Sequence, residues 1–182
     1  MRLFTSIELP EDIKKRIIEK SEEIAAPGIT LVKEEALHIT LHFFGEKSET
    51  EAEKIKKALE EISWPIFKVN LYGINTFNPR FIRVIFVALK EGASEVSQLY
   101  GKLSGMLDAE KISYEKEKYV PHVTIARVKY ADRERLIRFI DKYKDYQFGS
   151  FDVSSFYLIK SMLTDSGPAY EKLYEFKSRN VF

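Results

Sequence analysis

The chain has 182 residues, 45% of them hydrophobic, and 29 basic side chains against 28 acidic ones, for a formal charge of +1. That length buries a sizeable core and the composition is that of a globular chain, which excludes disorder. Balanced charge does not advertise a nucleic-acid partner, so any phosphate-binding potential has to be local, and the lack of cysteine excludes disulfides, zinc–thiolate sites and thiol catalysis. No apolar run approaches the ~20 residues of a bilayer span, and residues 1–9 are too short and interrupted for a secretory signal, so a cytoplasmic protein without a membrane partner is expected. The charged fraction of 31% is rich in Glu and Lys and leans towards a thermophile.

In chain order, residues 2–9 read as a strand ending at Pro10, which opens a helix well. Residues 11–25 carry Ile13, Ile17, Ile18 and Ile24 at helical spacing, and Pro27-Gly28 ends that helix. Two strands follow, 29–33 and 36–44, around the acidic turn Glu34-Glu35. Ser48 with Glu51 three residues on forms a capping-box pattern, opening a helix to about Ile62. Strands at 65–75 and 81–89 flank Asn78-Pro79. A helix over 93–109 places Val96, Leu99, Tyr100, Leu103 and Leu107 on one side. Residues 120–130 read as a strand, 132–144 as a helix, and 147–160 and 169–178 as two late strands around the loop 164–168.

Two segments share one pattern: His38-Ile39-Thr40-Leu41 and His122-Val123-Thr124-Ile125 each place a histidine two residues before a threonine in a β-branched run. Alternate side chains of a strand share a face, so each segment projects an imidazole and a hydroxyl together. With three histidines and seven threonines in the chain, two such coincidences have a chance of roughly 0.005. Imidazoles, with an ordinary pKa of about 6.5, can give or take a proton near neutrality, and hydroxyls can donate to phosphoryl oxygens. Two such pairs meeting across a cleft are equipped for metal-free chemistry on a phosphodiester, with no cofactor.

Parity puts His42 on the face of His38 and Thr40, as a further contact at the cleft edge or as a surface histidine at the strand end. Strand positions four apart lie about 13 Å from each other, which argues against His38 and His42 chelating one metal ion. Arg127 faces away from His122 on a regular strand, and a bulge would bring it round to the phosphate. Arg80, Arg83, Lys118 and Lys129 are candidates for a positive rim; Phe43, Phe44, Phe77 and Tyr119 could stack a base or fill the core.

The motif strands sit 84 positions apart, each followed by a helix and two further strands, and no Gly-, Pro- or Ser-rich linker divides the chain. The expected fold is therefore α+β: residues 1–182 as a single domain of two lobes of mainly antiparallel sheet backed by helices, with the cleft between them.

The two motifs resemble the HxTx signatures of the two-histidine phosphoesterase superfamily. Leu3 to Pro10, Phe43-Phe44-Gly45-Glu46, Phe77 to Arg80 and Pro121 to Arg127 narrow the resemblance to the bacterial and archaeal RNA 2′,3′-cyclic phosphodiesterases, also called 2′-5′ RNA ligases. The resemblance implies two pseudo-symmetric lobes and hydrolysis of an RNA 2′,3′-cyclic phosphodiester to a 2′-phosphomonoester, without metal. It implies His38 as proton donor to the 3′ leaving oxygen and His122 as proton acceptor from water. Thr40, Thr124, Arg127 and His42 are the expected substrate-binding residues. Expected partners are RNA ends carrying a cyclic phosphate, including tRNA halves joined through a 2′,5′ linkage by the reverse reaction, with the protein a monomer. The competing readings are a phosphodiesterase for another cyclic or 2′,5′-linked nucleotide and a non-catalytic RNA-end or nucleotide-binding module.

Overall fold

The computed structural model describes residues 1–180. Its strands form two antiparallel sheets. In the four-stranded sheet, β3 (His38–Glu46), β1 (Arg2–Glu8), β8 (Ser155–Thr164) and β9 (Gly167–Lys177) lie side by side. The five-stranded sheet runs β2 (Ile29–Leu31), β6 (His122–Val128), β5 (Val84–Leu89), β4 (Phe67–Thr76), β7 (Gln147–Val153). The order β3-β1-β8-β9 maps onto β6-β5-β4-β7, with β2 as an extra strand outside β6. Each motif strand thus pairs with a central strand of its own lobe, and the expected α+β fold of two pseudo-symmetric lobes is what the chain adopts.

The lobes are not the two halves of the sequence. Strands 29–31 and 38–46, read as neighbours around an acidic turn, go to different sheets, separated by a short 3-10 turn at Glu34–Ala36. The single late strand expected over 147–160 breaks at Ser154, so that β7 edges one sheet and β8 joins the other. The helices interleave too. Helix α1 (Glu11–Ser21) follows β1 yet packs behind the opposite sheet, where Arg16 donates to the Phe148 carbonyl at 2.9 Å. Helix α3 (Ala93–Ala109) follows β5 yet reaches β3, where Ser104 bonds His42 at 2.8 Å. Helices α2 (Glu49–Glu60) and α4 (Arg133–Tyr143) stay with their own lobes, against β9 and β4. Exchanged helices leave one contiguous core beneath both sheets, which holds the motif strands in fixed relation.

Local chemistry sets the element ends. The capping box at Ser48 is complete: its hydroxyl accepts from Glu51 N at 3.1 Å and Glu51 accepts from Ser48 N at 2.8 Å, worth about 1 kcal/mol. The first helix ends at Ser21, earlier than its apolar spacing suggests, and a 3-10 turn, Glu22–Ile24, carries Ile24 into the core. Gly28 has a φ of 85°, and a Cβ there would stand 2.3 Å from the Tyr130 carbonyl oxygen, so only glycine permits this close approach.

Candidate functional site

Both motif strands carry a bulge at the same place. In β3 the register against β1 shifts between the pairs Phe4–Phe43 and Ser6–Thr40, so Thr5 stands opposite both Leu41 and His42. The bulge frees the His42 N–H from the ladder, and Thr5 Oγ1, fully buried, accepts it at 3.0 Å. In β6 the register against β5 shifts between Ile85–Ala126 and Phe86–Thr124, leaving Ile125 as the extra residue. A bulge inverts side-chain parity beyond it. The residue five after each histidine, Phe43 and Arg127, therefore returns to the histidine's face, and the residue four after it turns inward.

His38, Thr40, His122, Thr124 and Arg127 consequently line one cavity of about 330 Å³, closed by Phe4, Tyr170 and the 166–168 turn. A second cavity of about 580 Å³ opens beside it, sharing Thr40, Phe43, His122, Thr124 and Arg127 and walled by Phe77, Tyr100 and Tyr119. His42 lies elsewhere. It is 1% exposed, stacks face to face on Tyr100 at 4.2 Å and bonds Ser104, and it lines neither cavity. Parity counting puts it on the cleft face, and the bulge after Thr40 is the physical reason it is not there. Phe44 is likewise buried in the core, whereas Phe43, Phe77 and Tyr119 line the larger cavity with Lys118. Arg80 is exposed, and Arg83 is tied to the Lys129 carbonyl at 2.9 Å.

The imidazoles are held alike. His38 Nδ1 bonds the Ala36 carbonyl at 2.7 Å, and His122 Nδ1 bonds the Val120 carbonyl at 2.7 Å, each two residues upstream. A carbonyl can only accept, so Nδ1 carries the hydrogen and Nε2 is the working atom in both rings. His38 Nε2 lies 2.9 Å from Thr40 Oγ1, and its ring stacks on Phe4 at 5.0 Å with Tyr170 at its edge. The His122 ring meets Phe77 and Phe86 edge to face. Tyr119 links the motifs: its hydroxyl donates to the Thr40 carbonyl at 2.7 Å, three residues before His122 in the chain, and its ring stacks on Tyr100 at 4.0 Å.

Burial, against the pull of the Ala36 carbonyl and reinforced by Lys14, Arg127 and, when protonated, His122, lowers the His38 pKa to about 4. Burial also lowers that of His122, opposed by its carbonyl bond and reinforced by Arg127. Both rings are neutral in the free protein near pH 7, each with a basic Nε2, and the Arg127 guanidinium lines the same cavity. An anion between them would cancel part of this positive field and favour protonation of one ring. Phe4, Tyr170 and the 166–168 turn are contributions no motif announces, since they come from distant strands that only the sheet order brings to His38.

Comparison with known proteins agrees with this architecture. A family model described as the 2′-5′ RNA ligase superfamily matches residues 9–164. The chain is 39% identical over 179 residues to an RNA 2′,3′-cyclic phosphodiesterase of Methanocaldococcus jannaschii, covering 96% of this chain and 99% of that one. It is 36% identical to a protein of the same name from Aeropyrum pernix, covering 90% and 95%. Among solved structures, one from Thermus thermophilus superposes with a TM-score of 0.80 at 28% identity, covering 98% of both chains. Escherichia coli LigT complexed with 3′-AMP superposes with a TM-score of 0.82 at 23% identity over the same share, a likeness of fold.

Proposed function

The chain belongs to the 2′-5′ RNA ligase superfamily, and from that premise we propose that it is an RNA 2′,3′-cyclic phosphodiesterase, leaving a 2′-phosphomonoester. The observation that carries the reading is the shared cavity, where two imidazoles, each anchored through Nδ1 with Nε2 left as the reactive nitrogen, stand beside Thr40, Thr124 and Arg127. In this scheme water attacks phosphorus, His122 Nε2 takes its proton, the P–O3′ bond breaks and His38 Nε2–H protonates O3′. The cyclic phosphate's negative charge is what recharges His38, whose ordinary tendency to hold a proton is suppressed in the free protein. The order of acid and base is taken from the resemblance of the motifs, since burial disfavours the charged form of both imidazoles and Arg127 opposes the charge on each.

Arg127 and the two threonine hydroxyls are assigned to the non-bridging oxygens, where charge accumulates in the transition state. Acid, base and charge neutralisation are then all supplied by side chains, so the reaction is proposed to need no metal. The same pair would accept a ribose 5′-hydroxyl in place of water, joining RNA halves through a 2′,5′ linkage. We assign residues 1–182 to one two-lobed unit acting as a monomer. The test is turnover of a 2′,3′-cyclic-phosphate oligonucleotide in EDTA. A 2′-phosphate product supports the scheme; a 3′-phosphate, or no turnover until a divalent metal is restored, overturns it.

A further inference from the structure

An RNA end is longer than its terminal nucleotide, and the site has to release the strand upstream of it on one side. We propose that the surface formed by the β4–β5 loop (77–83) and the segment after β6 (129–133) docks that upstream strand as single-stranded RNA. The inference rests on the phosphodiesterase reading above for the position of the cyclic end.

Three observations carry it. First, three large aromatic side chains stand out on this face with no core role: Phe77, Phe81 and Tyr130 are 52%, 68% and 60% exposed. Exposed aromatic rings interleaved with cations are the makings of a base-stacking platform that tolerates any sequence. Phe77 joins the platform to the reacting centre, because it walls the larger cavity and meets the His122 ring at 5.0 Å. Second, charge is concentrated here. Segments 77–83 and 127–135 together hold six cations against two carboxylates, Asp132 and Glu134, a net +4, whereas the whole chain carries +1. The remainder is net negative, and where segment 115–118 lines the larger cavity its Glu115 and Glu117 are offset by lysines, Lys118 among the lining, so that side holds no cationic surplus to draw a phosphate chain. The strand's exit is therefore towards the loop.

Third, the surface is preorganised. Asn78 folds the loop tip, its side-chain oxygen accepting from Arg80 N at 3.0 Å and its carbonyl from Phe81 N at 3.2 Å. Arg83 donates to the Lys129 carbonyl and Arg133 to the Pro79 carbonyl at 2.8 Å, stitching the two segments together. Tyr130 is seated over Gly28, whose backbone carbonyl accepts from Lys129 N at 2.8 Å. A platform held in advance loses little entropy when a flexible strand lies on it.

The experiment compares a mononucleoside 2′,3′-cyclic phosphate with a single-stranded hexanucleotide ending in the same group. It uses wild type and the double variant Phe81→Ala/Arg80→Ala, with fluorescence anisotropy of an unreactive 3′-hydroxyl hexanucleotide as a second readout. Wild type should favour the hexanucleotide in kcat/KM, an advantage that shrinks as salt rises. The variant should lose about tenfold or more on the hexanucleotide while its mononucleotide kcat/KM stays unchanged, since one stacked base is worth roughly 1–3 kcal/mol. Equal loss on both substrates, or unchanged turnover and anisotropy with the hexanucleotide, overturns the track and leaves the face to a protein partner. If neither substrate is turned over, the phosphodiesterase reading falls. The track then stands or falls on whether the variant weakens hexanucleotide binding.

Discussion

The two motif strands are near copies of each other and differ where it matters. Over seven residues β3 and β6 have the same order of buried and open positions, the same bulge after the threonine, and the same Nδ1 bond to the carbonyl two residues upstream. Five residues after the histidine, one strand presents Phe43 and the other Arg127, on equivalent sites of the same cleft. In the proposed scheme, duplicated geometry serves as both acid and base through two similarly held histidines. In the same scheme the unlike pair facing the cleft would give the site a direction, one wall apolar for a ring and one wall cationic for a phosphate. A symmetric scaffold with one asymmetric position is enough to orient a substrate whose own ends differ.

The largest effects should come from the shared part. His38→Ala and His122→Ala are each expected to lower kcat by about 10²–10⁴-fold, the usual contribution of a positioned acid or base, with melting temperatures close to wild type. Near-wild-type turnover in either variant would break the equivalence of the two strands. The unlike pair gives the next effect. Arg127→Leu should cost about 10²–10³-fold, mostly in kcat, because charge builds on the phosphoryl oxygens in the transition state. Phe43→Leu should instead raise KM for a nucleotide and leave kcat nearly intact. Equal kcat losses in both would show that the difference between the walls has no chemical meaning.

How much of this was legible in the sequence follows from the bulges. The pairing of His38 with Thr40, and of His122 with Thr124, is carried by period-two alternation alone and needs nothing else. Beyond each threonine the alternation slips by one, and no glycine marks the slip: Leu41-His42 and Ile125-Ala126 are ordinary strand residues. Arg127 is reachable only by supposing a bulge, and His42 is misplaced unless the same supposition is applied to it. The device that satisfies one bulge, Thr5 accepting from His42 N, lies on another strand 37 residues away. The capping box at Ser48 was legible because both partners sit within four residues. The break at Ser154 was not, since what divides β7 from β8 is the pairing partner each finds, β4 or β1.

His42 yields the smallest effect and the sharpest test of what the first bulge does. Turned into the core, it keeps a ring stacked on Tyr100, which in turn stacks on Tyr119, and its Nδ1 has no hydrogen-bond partner. Burial lowers its pKa to about 3, against a weak opposing pull from Asp108. The unfolded chain takes up a proton on this ring near pH 6.5 while the folded chain refuses it until about 3. Stability tied to His42 is therefore fully present above pH 6.5 and is lost as pH falls towards 3. His42→Phe preserves the stacked ring and removes the titration, at a cost of about 1 kcal/mol for the bond to Ser104. In urea unfolding the variant should be slightly weaker than wild type at pH 8. At pH 4.5, where protonation of the unfolded wild-type ring costs it roughly 2–3 kcal/mol, the variant should match or exceed it. A constant gap at both pH values would mean that the folded chain protonates this ring as readily as the unfolded one, and the account of its burial would fail.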